Sequence, residues 1–302
     1  MELIKPSTNI NFVGSRKIAF TISLVLILVS IASIVWHGGL NLGIDFAGGT
    51  IVQVKFQKAT PTEAIRNALK PIRLENSIIQ QFSTQEVVIR TSESTTDLKG
   101  LSSKIEEALA NVYGKGSFEV RRVEVVGPKV GRDLTNKALM AIVFSWVAML
   151  IYIAWRFEFR FGVGGIIALI HDVLITVGAL SLFNKEFTLT IIAALLTIVG
   201  YSINDTIVIY DRIRENMRKG LKKDLAEVMN ISINETLGRT MLTSLTVFVV
   251  LVILFLLGGE VIHDFAFAML VGVISGVYST IYIASPFVLA WEKFRPSKMR
   301  RR

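Results

Sequence analysis

The sequence predicts a polytopic α-helical membrane protein with six transmembrane helices and one α+β ferredoxin-like extracytoplasmic domain between helices 1 and 2. Three observations carry that reading. Several windows of about 20 residues, enough to cross about 30 Å of hydrocarbon, hold almost no charge. The 302 residues are 52% hydrophobic and 19% charged, whereas a soluble chain holds about 45–50% apolar and about 25% charged residues. Residues 37–136, by contrast, have the composition of a small soluble domain. The expected organisation is a cytoplasmic tail with the first helix at 1–36, the outer domain at 37–136, and a five-helix bundle with a cytoplasmic C-tail at 137–302.

The first apolar stretch, Ile18–Trp36, follows Arg16 and Lys17. It is longer than the 7–15 residue core of a signal peptide, and no A-x-A cleavage pattern follows it, so it reads as an uncleaved helix. The other spans are expected at Ala138–Trp155, Phe161–Phe183, Phe187–Tyr210, Thr240–Leu257 and Phe265–Trp291. Lys and Arg concentrate beside alternate span ends: Lys5, Arg16 and Lys17; Arg156 and Arg160; Arg212 to Lys223, then Arg239; and Lys293 to Arg302. By the positive-inside bias these are cytoplasmic, with both termini inside. Most of the net charge of +9 therefore orients the chain and meets anionic lipid. No basic, aromatic-interleaved platform for nucleic acid is present.

Within the outer domain, Thr50–Phe56 alternates as a strand and Thr60-Pro61-Thr62-Glu63 opens a helix running to Leu69. Ser77–Phe82 and Glu86–Arg90 read as two strands joined by a short polar turn. Asp97–Tyr113 is amphipathic through Leu98, Leu101, Ile105, Leu109 and Val112, and stops at Gly114. Ser117–Val126 alternates imperfectly and closes as a strand. The order β-α-β-β-α-β is the split ferredoxin-like pattern, which alone implies no function. Two glycine clusters flank the domain, NLGIDFAGGT at 41–50 and VGPKVGRDL at 126–134, and read as turns at the membrane junctions. Asp45 is expected to cap a turn.

No cysteine is present, which excludes disulfides, thiol nucleophiles and cysteine-held metals. The three histidines, His37, His171 and His263, lack metal-ligand spacing. No G-x-S-x-G, H-E-x-x-H or P-loop occurs, and the chain is expected to be neither an enzyme nor a holder of cofactors or metals. The His171-Asp172 pair matches a phosphohydrolase dyad in letters only.

Polar residues inside the spans are the informative ones. Asp172 lies near the middle of the third span and Asp205 inside the cytoplasmic end of the fourth. An Asp at a helix centre costs on the order of 2.5–3.5 kcal/mol, so such residues usually face a bundle interior or a water path. Tyr201 and Asn204 share helical spacing with Asp205; Arg239, Thr243 and Thr246 form a stripe in the fifth span. Gly165, Ala168, Asp172, Thr176 and Ala179 make another, and Gly272, Ser275, Gly276 and Ser279 a third. Small stripes also serve helix packing. Two readings of Asp205 stand: a buried hydrogen bond or ion pair with Arg239, or a carboxyl that gains and loses a proton as Arg239 moves. Arg239 could equally snorkel to the cytoplasmic surface.

The block GYSINDTIVIYDRIREN at Gly200–Asn216 resembles the signature of the SecF family of bacterial protein-export membrane subunits. NLGIDFAGGT (41–50), VGPKVG (126–131), HDVLIT (171–176) and LGRTMLTS (237–244) reinforce it in family order. The resemblance implies membership of the resistance–nodulation–division superfamily and a location in the bacterial cytoplasmic membrane. It implies action with a SecD-like subunit beside a SecY-type channel, using the proton-motive force to move unfolded polypeptide outward. Protons are then the coupling ion, and Asp205 and Arg239 fall on the family's proton path, with Asp172, Asn204, Tyr201 and Thr243 as supporting polar residues. SecD is not fused here, so its half is expected on another polypeptide. A small-molecule or lipid exporter of the same superfamily, and a non-energised scaffold, remain as alternatives.

Overall fold

The computed structural model describes residues 9–75, 77–81, 83–91, 98–219 and 224–294. Phe82, Asp97, Lys5, Lys222, Lys223 and the basic C-tail from Arg295 lie outside them. Packing divides the chain into two compact units. One holds Leu42–Leu139 with Phe187–Leu189; the other holds Met1–Asn41, Met140–Glu186 and Thr190–Arg302.

In the first unit a short helix, α2 (Ile44–Ala47), precedes strand β1 (Gly49–Phe56). Gly48 and Gly49 join them at φ of 75° and 135°, a region that side chains resist. Helix α3 (Thr62–Leu69), strands β2 (Ile78–Gln81) and β3 (Glu86–Thr91), helix α4 (Leu98–Tyr113) and strand β4 (Phe118–Val126) follow. The sheet order is β2-β3-β1-β4, antiparallel throughout, which is the ferredoxin-like arrangement read from the sequence. Val52 and Val54 oppose Ile89 and Val87, and with Ile65, Leu69, Ile105 and Leu109 they bury one face of the sheet under α3 and α4. Val112, expected on that face, is exposed; Tyr113 packs there instead, its ring 5.3 Å from Phe56.

The imperfect alternation of β4 has a mechanical cause. Its pairing with β1 slips between Gln53 and Val54, so Arg121 is an extra residue between Val120 and Val123. A bulge of this kind resets the side-chain parity, which keeps Val120 and Val123 both packed against the core.

Six helices among the described residues are long and apolar enough to cross a membrane. They are α1 (Arg16–Trp36), α5 (Pro128–Arg156), α6 (Phe159–Leu182), α7 (Leu189–Arg218), α8 (Leu225–Leu257), and a sixth span built from α9 (Gly259–Ser279), a π-helical turn (Thr280–Ala284) and α10 (Ser285–Phe294). Two expected boundaries are corrected. The VGPKVGRDL segment is no turn beyond Gly127: Pro128 is the first residue of α5, where its missing N–H costs nothing. Helix α8 begins at Leu225 rather than Thr240, with Asp224 accepting the Ala226 N–H at 3.1 Å as its N-cap. Asp45 does cap, but its partner lies outside its own turn: its Oδ2 accepts the N–H of Leu189, the first residue of α7, at 2.9 Å.

The π turn follows from Pro286. Proline inside a helix removes one backbone bond and crowds the carbonyl four residues back, here Tyr282. Widening the turn relieves the crowding, and Ser285 Oγ donates to the Thr280 carbonyl at 3.1 Å.

Candidate functional site

Helix α7 carries polar side chains on two sides. Toward α8 it presents Asp205, which is 5% exposed. Ser244 Oγ of α8 donates to Asp205 Oδ2 at 3.5 Å, a long contact. Tyr201, one turn earlier on α7, donates its hydroxyl to Ser244 Oγ at 3.2 Å. The three residues form a short chain, Tyr201 to Ser244 to Asp205.

The structure does not bring Arg239 into an ion pair with Asp205. No described cation lies within 4.0 Å of that carboxylate, and Arg239 is exposed. Thr243 and Thr246 share its exposed side; Thr243 Oγ1 turns back onto the carbonyl of Arg239 at 3.0 Å. The buried stripe of α8 is Thr236, Thr240 and Ser244, offset by one residue from the stripe read from sequence. Asn204 is exposed and stands apart from the Asp205 chain. Of the supporting residues, Tyr201 reaches Asp205, through Ser244, a residue that sequence reasoning passed over.

On its other side α7 meets Asp172. That residue is 0% exposed, and its carboxylate accepts four hydrogen bonds. Ser202 Oγ of α7 and Ser279 Oγ of α9 donate to Oδ2 at 2.7 and 2.8 Å. Ser275 Oγ donates to Oδ1 at 2.6 Å, and His171 Nδ1 lies 3.1 Å from the same oxygen. The small stripe of the sixth span makes this possible. A Cβ on Gly272 would meet Ile198 at 2.3 Å, so glycine there allows α9 to lie against α7. Ser202 and Asp205 are three residues apart on α7. Among the described residues, no group of three or more His, Asp or Glu side chains could hold a metal.

A family model described as protein export membrane protein SecD/SecF, C-terminal, matches residues 104–294, which include both carboxylates. A second, the SecD/SecF GG motif, matches 34–60, around Gly48 and Gly49. The protein translocase subunit SecF of Magnetococcus marinus is 48% identical over 293 residues, 96% of this chain and 94% of that one. The chain belongs to the SecF family. The SecF subunit of Calditerrivibrio nitroreducens is 46% identical over 98% of both chains. A crystal structure of SecDF from Thermus thermophilus, described as a translocon-associated membrane protein, superposes on this SecF-family chain with a TM-score of 0.85 at 36% identity. It covers 96% of this chain, which spans 40% of the length of that SecDF protein. With its six spanning helices, this SecF-family chain is a multi-pass membrane protein.

Proposed function

We propose that this chain is an accessory subunit of a Sec protein translocase that couples the proton-motive force to polypeptide export. It acts with a SecD-like subunit and a SecY-type channel in the bacterial cytoplasmic membrane, both termini inside, on an unfolded polypeptide client. Proton exchange takes place at Asp205. The observation that carries this reading is the poverty of that carboxylate's surroundings: it is buried, with one 3.5 Å hydrogen bond and no described cation within 4.0 Å. A buried charge so weakly compensated is costly, and gaining a proton removes the cost. Asp172, by contrast, has four hydrogen-bond partners.

Arg239 supplies the second half of the cycle. It lies on the exposed side of α8, about one turn of helix from the buried Thr236 and about one from Thr243, and its guanidinium approaches or leaves the carboxylate as α8 turns against α7. A transmembrane potential of 100 mV supplies about 2.3 kcal/mol per charge, enough to bias such an equilibrium appreciably. The family relationship supports the Sec assignment; two of the relatives compared carry the name of translocase subunit.

The direct test is Asp205→Asn in a variant that still assembles with its partners. Proton-driven completion of export should be lost while the complex co-purifies intact. Retention of wild-type, potential-dependent export by the assembled variant would overturn the reading in favour of a passive scaffold.

A further inference from the structure

His171 and Asp172 form a buried acid–base pair that the Asp205 cycle leaves unused. Asp172 already receives three serine hydroxyls, each of which has a proton to give. Its two oxygens therefore act as acceptors toward every serine that faces them. The 3.1 Å contact then assigns the His171 Nδ1 as an N–H donor to Oδ1. In the neutral ring this leaves the lone pair on Nε2, which is buried without a hydrogen-bond partner among the described residues.

The charge balance of the node is incomplete. His171 is the only described basic side chain within 4.0 Å of Asp172, and both residues are nearly or wholly buried, at 5% and 0% exposure. With His171 neutral, the node carries one full negative charge inside an apolar helix bundle. The groups facing it from its neighbours do not offset that charge. Helix α1 brings the Ala19 carbonyl and Ser23; α7 brings Ser202, with Asp205 three residues on; the sixth span brings Ser275, Tyr278 and Ser279, followed by Thr280 and Tyr282. None is a cation, and Asp205 adds a second negative charge when ionised.

We propose that His171 is a second proton-binding group of the bundle. Its Nε2 lone pair takes a proton from a hydronium ion, forming the Nε2–H bond as one hydronium O–H bond breaks and water is released, and the imidazolium so formed pairs with the Asp172 carboxylate while Nδ1–H stays on Oδ1. The node becomes neutral, and no other bond is made or broken. Tyr278 prepares the site: its ring stacks on the imidazole at 5.9 Å and 22°, an arrangement that favours a cation over the ring face. The tyrosine is itself fixed, donating its hydroxyl to the Ala19 carbonyl at 2.6 Å and accepting from Ser23 Oγ at 3.1 Å. Asp172 is thus a positioning residue that sets the tautomer and stabilises the charged ring. The proposal rests on the proton-coupled reading for what the proton accomplishes, but not for where it binds.

The chain's three histidines make the test direct. Full-length protein in lipid nanodiscs is labelled with 15N in the imidazole rings, and His37→Gln with His263→Gln leaves the signals of His171 alone. Between roughly pH 8 and 5, the interval over which histidine ordinarily changes charge, Nδ1 should remain protonated and Nε2 should gain a proton. Asp172→Asn should leave the ring neutral over the same interval. Persistence of the bare Nε2 in the otherwise unchanged protein throughout that interval would overturn the proposal, and this measurement decides alone where the Asp172 variant does not fold. Titration of an Asp172→Asn variant at the wild-type pH would also overturn it. The ring signal should survive in Asp205→Asn, so loss of His171 titration and failure of the Asp205 cycle are separate results.

Discussion

Ser244 and Asp205 meet between α8 and α7 at 3.5 Å, and this is the only hydrogen bond to the Asp205 side chain among the described residues. Ser244→Ala therefore removes the carboxylate's last protein donor without changing the helix backbone. A hydrogen bond of this kind contributes about 0.5–1.5 kcal/mol, so proton-driven export should weaken by roughly 2- to 10-fold, less than in Asp205→Asn. Export assays at fixed membrane potential measure this; an unchanged rate would remove Ser244 from the path.

Asp172 should behave as a structural tie as well as a partner of His171. Asp172→Leu strands the hydroxyls of Ser202 and Ser275 in a buried site, while Ser279 keeps the Gly276 carbonyl at 3.2 Å, and leaving buried partners unpaired costs about 1–3 kcal/mol per group. Thermal unfolding in detergent should show a large loss of stability, whereas Ser275→Ala, which leaves three donors in place, should cost about 1 kcal/mol.

Gly131 is a packing glycine at the start of α5. A Cβ there would stand 2.6 Å from the backbone carbonyl oxygen of Phe46, an atom that cannot swing aside. Gly131→Ala should destabilise the sheet-containing unit by about 1–3 kcal/mol through overpacking. Gly127→Ala, with nothing within 4 Å of its Cβ position, is the control. Limited proteolysis distinguishes the two.

The Tyr113 hydroxyl is buried without a hydrogen-bond partner among the described residues, and burial raises its pKa above the ordinary phenol value. The folded state thus binds its proton more tightly than the unfolded chain does. Stability from this source is intact below about pH 10 and is lost as the pH climbs beyond it. Tyr113→Phe should flatten the alkaline limb of the stability profile and leave neutral stability close to unchanged, as followed by circular dichroism of the full chain.

Hydropathy and strand alternation made the six spans and the ferredoxin-like order legible, and the expense of an Asp in hydrocarbon singled out Asp172 and Asp205. The facing of α8 was not legible. Its apolar residues run all round the helix, so no polar contrast sets its phase. Reading Arg239, Thr243 and Thr246 as the inward stripe misplaced it by one residue, and with it went Ser244. The early start of α8 was hidden for a related reason: residues from Leu225 onward carry charges that hydropathy assigns to a loop. Their fixing contacts are long-range, as where Arg212 of α7 binds Glu235 at 2.6 Å. The second face of α7 was half visible, since Ser275 and Ser279 stood out by spacing while Ser202 looked like one small residue among many.

The π turn at Thr280–Ala284 also sets the angular register of everything after it. A turn that holds one residue more than an α-helical turn retards the following helix by about 100°, the rotation each residue contributes. Downstream of it, Glu292 is buried and paired with Arg160 at the start of α6. Upstream, Ser275 and Ser279 point at Asp172 in the middle of α6. An ordinary α turn in its place would rotate Glu292 by about 100° relative to Ser275 and Ser279. The wide turn lets a single span grip α6 at both its middle and its end, and it makes the chain's length between Ser279 and Glu292 intolerant of a single deletion.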